Sequence, residues 1–417
     1  MIMFETFKKS IVYESLKKLY VITRTYILRF PGRLFKRSVL INQSYDFEIY
    51  NVKDKKHTFF GYYDKTPFSK NNEMILANST DTDQRTISSN DILEVGYFDN
   101  SKNWFFLGET TTWCWQQGCR LQWYGKNDSQ TLIFYNTLVN GDYGSVIQNV
   151  KTQEIIESHE TALYDINYDG HWGLTLNFSR LGRLRPGYGY NNKKDYTEGY
   201  LAPDNDGIWT YNFKTKQKKL IICLKKLSTL KTVVSMDGAE HYVNHISFNP
   251  SGNRFMFFHL WVIDGQRFSR LLTSDLNGVN IKVLTNEGNV SHYTWKNDSE
   301  ILVTIKTDRL KYRLYNEETM DYTDFAINHL STDGHPSYID ALNEKVLTDT
   351  YPNKFGFQSL LFYKNKELTK IGEFYSPFRY VKDFRCDLHP RLNLEKNKIC
   401  FDTTFSGSRK MCVITNK

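Results

Sequence analysis

Proline is scarce in this chain, with 9 in 417 residues, and no secretory signal is expected at its start. The one stretch that invites reading as a membrane span, residues 19–30, is interrupted by Arg24 and Arg29 and is too short to cross a bilayer. The six cysteines (Cys114, Cys119, Cys223, Cys386, Cys400 and Cys412) include no Cys-x-x-Cys pair and no dense spacing. A disulfide scaffold is therefore not expected, and they read as reduced thiols. What the chain has in plenty is aromatic residues, 28 Tyr and 28 Phe among them. Few prolines and many aromatics belong to a folded, β-leaning protein and not to a disordered one.

Charge of one sign is also missing from most of the chain. The net charge is +8, but residues 1–37 alone hold nine Lys or Arg against Glu5 and Glu14, which is +7. The rest is close to neutral, so a nucleic-acid-binding surface is excluded and a local basic arm, residues 1–40, is expected. Written as a helix, residues 4–30 set Phe7, Ile11, Tyr13, Leu16, Leu19, Tyr20 and Ile27 among lysines. That fits a helix lying on an anionic membrane surface through residues 1–37. It fits equally a helix packed on the protein's own body.

From about residue 45 the sequence repeats one plan. A polar residue opens a short aromatic strand, an Asn/Asp/Gly turn follows, and an apolar strand comes next. The clearest copies are "HISFNPSGNRFMFF" from His245, "HYTWKNDSEILVTI" from His292, "HPSYIDALNEKVLTDT" from His335 and "HPRLNLEKNKICFDTT" from His389. Three more open at Asp64, Arg120 and Tyr164. Six intervals over the 325 residues from Asp64 to His389 give a period of about 54. Seven copies of this length predict an all-β fold, a seven-bladed β-propeller over residues 45–417 with a short basic N-terminal helical arm. Too few strands remain after His389 for a four-stranded last blade. Residues 45–52 are expected to supply the missing strand and so remove an exposed edge.

In a propeller the opening residue of each copy faces the central channel. Arg120, Tyr164, His245, His292, His335 and His389 are thereby expected at one funnel, with Gln116 and Gln117 beside them. Four of only ten histidines stand at equivalent places. His292, His335 and His389 suit a divalent metal such as Zn or Mn, and Cys386 lies at ligand spacing from His389. His245 is read as a substrate contact. Asp237, Glu240 and His241 read as a solvated loop at the rim.

One stretch stands out, "LTLNFSRLGRLRPGYGY" at residues 174–190. Arg180, Arg183 and Arg185 precede Tyr188 and Tyr190 in a Gly-rich loop that reads as mobile. Cations and phenols in this density suit an anionic sugar. With the seven copies, Tyr164 and Arg180 sixteen residues apart and the channel histidines, it resembles the seven-bladed propeller polysaccharide lyases. Those are the ulvan lyases and, more distantly, the oligogalacturonate lyases. The resemblance covers residues 53–417. It implies Tyr164 as the proton-transferring residue and Arg180 as the cation on the uronate carboxylate. Gln116 or Gln117 stands where the family has an assisting His, so Gln117 takes that place. Leu184 and Arg185 occupy the region of the family's metal-ligating His.

The chemistry so implied is β-elimination. A base takes the C5 proton of a uronate, and a cation on the carboxylate stabilises the enolate-like transition state. An unperturbed Tyr has a pKa of ~10, so it acts as base only where positive charge lowers that value. The expected function is binding and cleavage of an acidic polysaccharide, with Arg120, Arg183, Arg185, Tyr188, Tyr190 and His245 holding substrate. The alternative is a non-catalytic carbohydrate-binding propeller, or a scaffold, in surface-polysaccharide synthesis. With a basic arm and no export signal expected, the protein is expected in the cytoplasm, with the inner face of a bacterial membrane as the hypothesis for where the arm docks.

Overall fold

The computed structural model describes residues 39–125, 131–342 and 344–417, with five helical positions (15, 16, 19, 20 and 23) before them. The remaining positions of the basic arm lie outside the described residues, and so does the reading of it as a membrane-surface helix. No helix among the described residues is long and apolar enough to cross a membrane.

The architecture is an all-β propeller. Among the described residues the strands form six hydrogen-bonded sheets, one of them eight-stranded. That sheet is joined across a single parallel bridge, Ser269 to Asn289, so it divides into two antiparallel units. Seven antiparallel units result, spanning residues 57–110, 122–159, 165–223, 240–283, 289–325, 337–375 and 391–416. Tyr45–Tyr50 pairs antiparallel with Lys410–Asn416, Tyr45 opposite Asn416 and Tyr50 opposite Met411. Val39–Ile41 adds a strand to the sixth unit by pairing with Glu367–Tyr375.

Three of the repeated turns share one chemical cause. In the fourth unit the Asn249 side-chain oxygen accepts the N–H groups of Asn253 and Arg254. Asn167 does the same for His171 and Trp172, and Asn393 for Asn397 and Lys398. An Asn side chain that takes two successive N–H groups closes the turn and sets the register of the strand that follows. The strands then bury their alternate apolar residues between neighbouring units. Phe255, Phe257, Leu271 and Ile301, for example, are fully buried in one cluster.

The opening residues are aimed by irregular backbone. His245 sits at φ 52° where the pairing of Glu240–Phe248 with Arg254–Ile263 shifts register. His389 and Arg120 are also left-handed, at φ 47° and 59°. Side-chain-bearing residues adopt this conformation at a cost, and it concentrates where a fold presents functional groups.

The third unit carries the insertion. Between Trp172–Thr175 and Gly207–Asn212 the chain forms a helix, Phe178–Leu184, capped by the Asn177 side chain on the Arg180 N–H. The Gly-Tyr-Gly-Tyr loop behind it is packed rather than mobile. Gly187 is left-handed at φ 92°, and a Cβ on Gly189 would stand 2.1 Å from the Gly182 nitrogen. The glycines serve close backbone approach here.

Candidate active site

The opening residues converge as the repeat predicts. His292 and His335 have ring centroids 4.0 Å apart, and His335 and His389 4.3 Å. Tyr62 packs against His245 and His389, at 5.3 and 4.9 Å. Its neighbour Tyr63 lies 5.0 Å from His335. These rings fill the middle of the channel.

Above them a cavity of about 270 Å³ is lined by Arg185, Tyr188, Asn244, His245, Arg267, His292 and Asp333 among others. The Arg185 guanidinium lies over the Tyr188 ring at 5.0 Å. Among the described residues it makes no hydrogen bond or ion pair. The Tyr188 ring meets His245 edge-on at 5.5 Å. Burial, with the nearby His292, Arg185 and His335, holds His245 well below the usual imidazole range, so it is neutral. Its Nδ1 is buried without a partner, as are Tyr62 OH, the Asn244 amide nitrogen and the Gln117 amide oxygen. Asn244 and His245 line the cavity, and unpaired buried polar groups on a cavity wall mark a place for water or ligand.

Several residues marked in the sequence are committed elsewhere. Arg180 is fully buried, and its guanidinium donates to the carbonyls of His241, Thr197, Tyr200 and Leu201 and to the Thr197 hydroxyl. Those five contacts use all its N–H donors, so it is the clamp of the insertion and not a carboxylate-binding cation. Arg183 pairs with Asp195 and Glu240. Glu240 therefore belongs to this cluster and not to a solvated loop. Arg120 is buried in a bidentate pair with Asp64. Tyr190 stacks on Phe178 at 4.3 Å and takes a hydrogen bond from Asn136. None of these four is free to hold substrate.

Tyr164 is fully buried under the Arg120 guanidinium, 4.7 Å away. Its oxygen accepts from Gln117 Nε2 at 2.5 Å and from the His245 N–H at 3.2 Å, and donates to Asn244 Oδ1 at 3.0 Å. Burial raises its pKa, outweighing Arg120, whose effect Asp64 also opposes. The lowering that a tyrosine base needs therefore does not occur at Tyr164. Tyr164 and Gln117 position Asn244 and His245 around the chamber.

The group that could hold a metal also differs in membership from the sequence reading. Donor atoms of His335, His389 and Asp387 lie within 4.8 Å of one another, all buried. His335 Nδ1 faces Asp349 at 2.7 Å, and His389 Nδ1 faces the Gly61 carbonyl at 2.8 Å. Both rings are thus held with Nδ1 protonated, and both Nε2 atoms are left buried and unpartnered. Two imidazoles and a carboxylate suit Mn or Zn, so these residues fit a divalent cation. His292 stands beside the group, its Nδ1 on Asp333 at 3.0 Å and its Nε2 3.3 Å from the Tyr351 hydroxyl. Cys386 stays out, since burial pushes its thiol up to about 12.

Asp387, Asp349, Asp333, Asn244 and Tyr62 were not marked by sequence reasoning. The only signal for Asp387 is its place two residues before a repeat-opening His.

No protein-family model matches this sequence, and no curated protein does either. Solved structures do match. An oligogalacturonate lyase from Vibrio parahaemolyticus is similar at a TM-score of 0.59 and 11% identity, covering 90% of this chain and 97% of its own. An oligogalacturonate lyase in complex with manganese is similar at 0.58 and 12%, covering 91% and 97%. At such identity the likeness establishes the fold; the ulvan-lyase resemblance rests on the motifs alone.

Proposed function

We propose that this protein is a seven-bladed propeller that binds an acidic, uronate-containing glycan at the cavity above its channel and cleaves it by β-elimination. The observation that carries the reading is Arg185, a cation without a carboxylate partner among the described residues, set over Tyr188 and beside neutral His245. Arg185 neutralises the uronate carboxylate and so acidifies C5–H. Tyr188, on the cavity wall, carries the proton. The C5–H electrons form the C4–C5 double bond, the C4–O bond breaks, and the departing sugar oxygen takes a proton. His335, His389 and Asp387 would hold a divalent cation, whose chemistry when bound would be electrostatic stabilisation of negative charge. The similarity of the fold to oligogalacturonate lyases, one of them a manganese complex, supports the same reading.

A binding-only role has one specific point in its favour: Gln117, which cannot transfer a proton, stands against Tyr164. Mass spectrometry of glycan incubated with the manganese-loaded protein separates the two readings. Elimination gives a product one water lighter than hydrolysis would. Intact glycan that still binds is the signature of the binding module.

A further inference from the structure

The channel has a second mouth. In the fourth unit the innermost strand runs from Asn244 and His245, at the cavity described above, to Ser247, Phe248 and Asn249. In the fifth it runs from His292 to Trp295. At about 3.3 Å per residue the later positions lie roughly 10 Å further along the channel. There they line a funnel of about 460 Å³ with Tyr63, Asp64, Lys65, Asp165 and Tyr168. A cavity of about 410 Å³ shares Tyr63, Lys65, Tyr168 and Trp295 and continues it past Lys70, Tyr338 and Lys396. Tyr62 and Tyr63, with ring centroids 4.7 Å apart, stand between the two mouths.

Three features of this lower funnel point to a ligand. Tyr293 is 3% exposed, lines the funnel, and has a buried hydroxyl without a partner; the Tyr338 hydroxyl next door is likewise unpartnered. Tyr168 is 64% exposed on the rim and Trp295 lies on the wall, giving two aromatic faces. The ionic groups near the floor are balanced, Asp64 by Arg120 and Asp165 by Lys65, and Lys396 lies on the rim. Phenol donors, aromatic faces and the Lys396 cation match a sugar ring that carries a carboxylate.

We infer that the lower funnel is a second saccharide site, which holds an anionic segment of glycan away from the reacting end. The class of ligand rests on the reading above; the existence of the site does not. The test is calorimetric titration of the manganese-loaded full chain with tetragalacturonate, using a neutral glucan tetramer as control. The expected result is two binding events for the acidic tetramer. One should weaken at least tenfold in Tyr168→Ala and in Lys396→Glu, while the other stays and is lost in Arg185→Ala. Both Tyr168 and Lys396 are exposed, and circular dichroism of each variant checks that it folds. A single event, or two that neither lower-funnel variant alters, overturns the second site. Equal binding of the neutral tetramer overturns its anionic character. Loss of the Arg185-dependent event alone counts against the proposed function and leaves the lower funnel standing.

Discussion

Asp349 orients two histidines at once. Its oxygens lie 2.7 and 3.0 Å from His335 Nδ1, and its Oδ2 accepts the His389 N–H at 3.0 Å. A carboxylate in this position fixes the tautomer and direction of a metal-binding imidazole. Asp349→Asn should therefore weaken Mn(II) binding by about 10–100-fold. Titration followed by electron paramagnetic resonance, with circular dichroism to confirm folding, checks this. Unchanged affinity would remove Asp349 from the account.

Arg180 and Arg185 should separate cleanly. Arg180→Lys loses a five-contact clamp that an ammonium cannot reproduce. A loss of about 2–4 kcal/mol is expected in urea unfolding. Arg185→Ala removes a partly buried cation that holds no carboxylate among the described residues. It should unfold like the wild type yet bind acidic glycan at least tenfold more weakly. The reverse pattern would mean that Arg180 is the substrate cation after all.

Acid should destabilise the fold through a buried chain away from the cavity. Arg270 Nε donates to His259 Nδ1 at 3.1 Å, and His259 Nε2 meets His241 Nδ1 at 2.9 Å. Burial holds His241 down at about 4 and His259 well below the usual range. Both are neutral in the folded state, whereas in the unfolded chain they take protons near pH 6.5. Their contribution is thus complete above about pH 6.5 and falls away as pH drops toward 4. On the order of 1–2 kcal/mol should be lost between pH 7 and 5. His259→Gln should flatten that slope. A melting temperature independent of pH over this window contradicts the assignment.

The repeat was legible partly because three copies close their first turn with the same chemistry. Asn167, Asn249 and Asn393 stand at matching places, and the side-chain bonds they make in the structure are local. The convergence of His245, His292, His335 and His389 followed from that register. The arginines were not legible in the same way. A sequence shows that Arg180 and Arg183 are cations, but not that Asp195 and Glu240 meet them across the insertion. Tyr164 drew attention for opening a copy, while the pair that neutralises its overlying Arg120 begins 56 residues earlier at Asp64. Asp387 was overlooked because a single carboxylate beside Cys386 carries no spacing signal of its own.

Ultraviolet absorbance during incubation of the manganese-loaded protein with oligogalacturonate tests the central claim most directly. The account predicts a rising signal from the conjugated double bond, abolished in Tyr188→Phe and Arg185→Ala. Both variants should keep the wild-type melting temperature. A flat trace from folded, metal-loaded protein that measurably binds the same glycan would contradict elimination and leave a sugar-binding propeller.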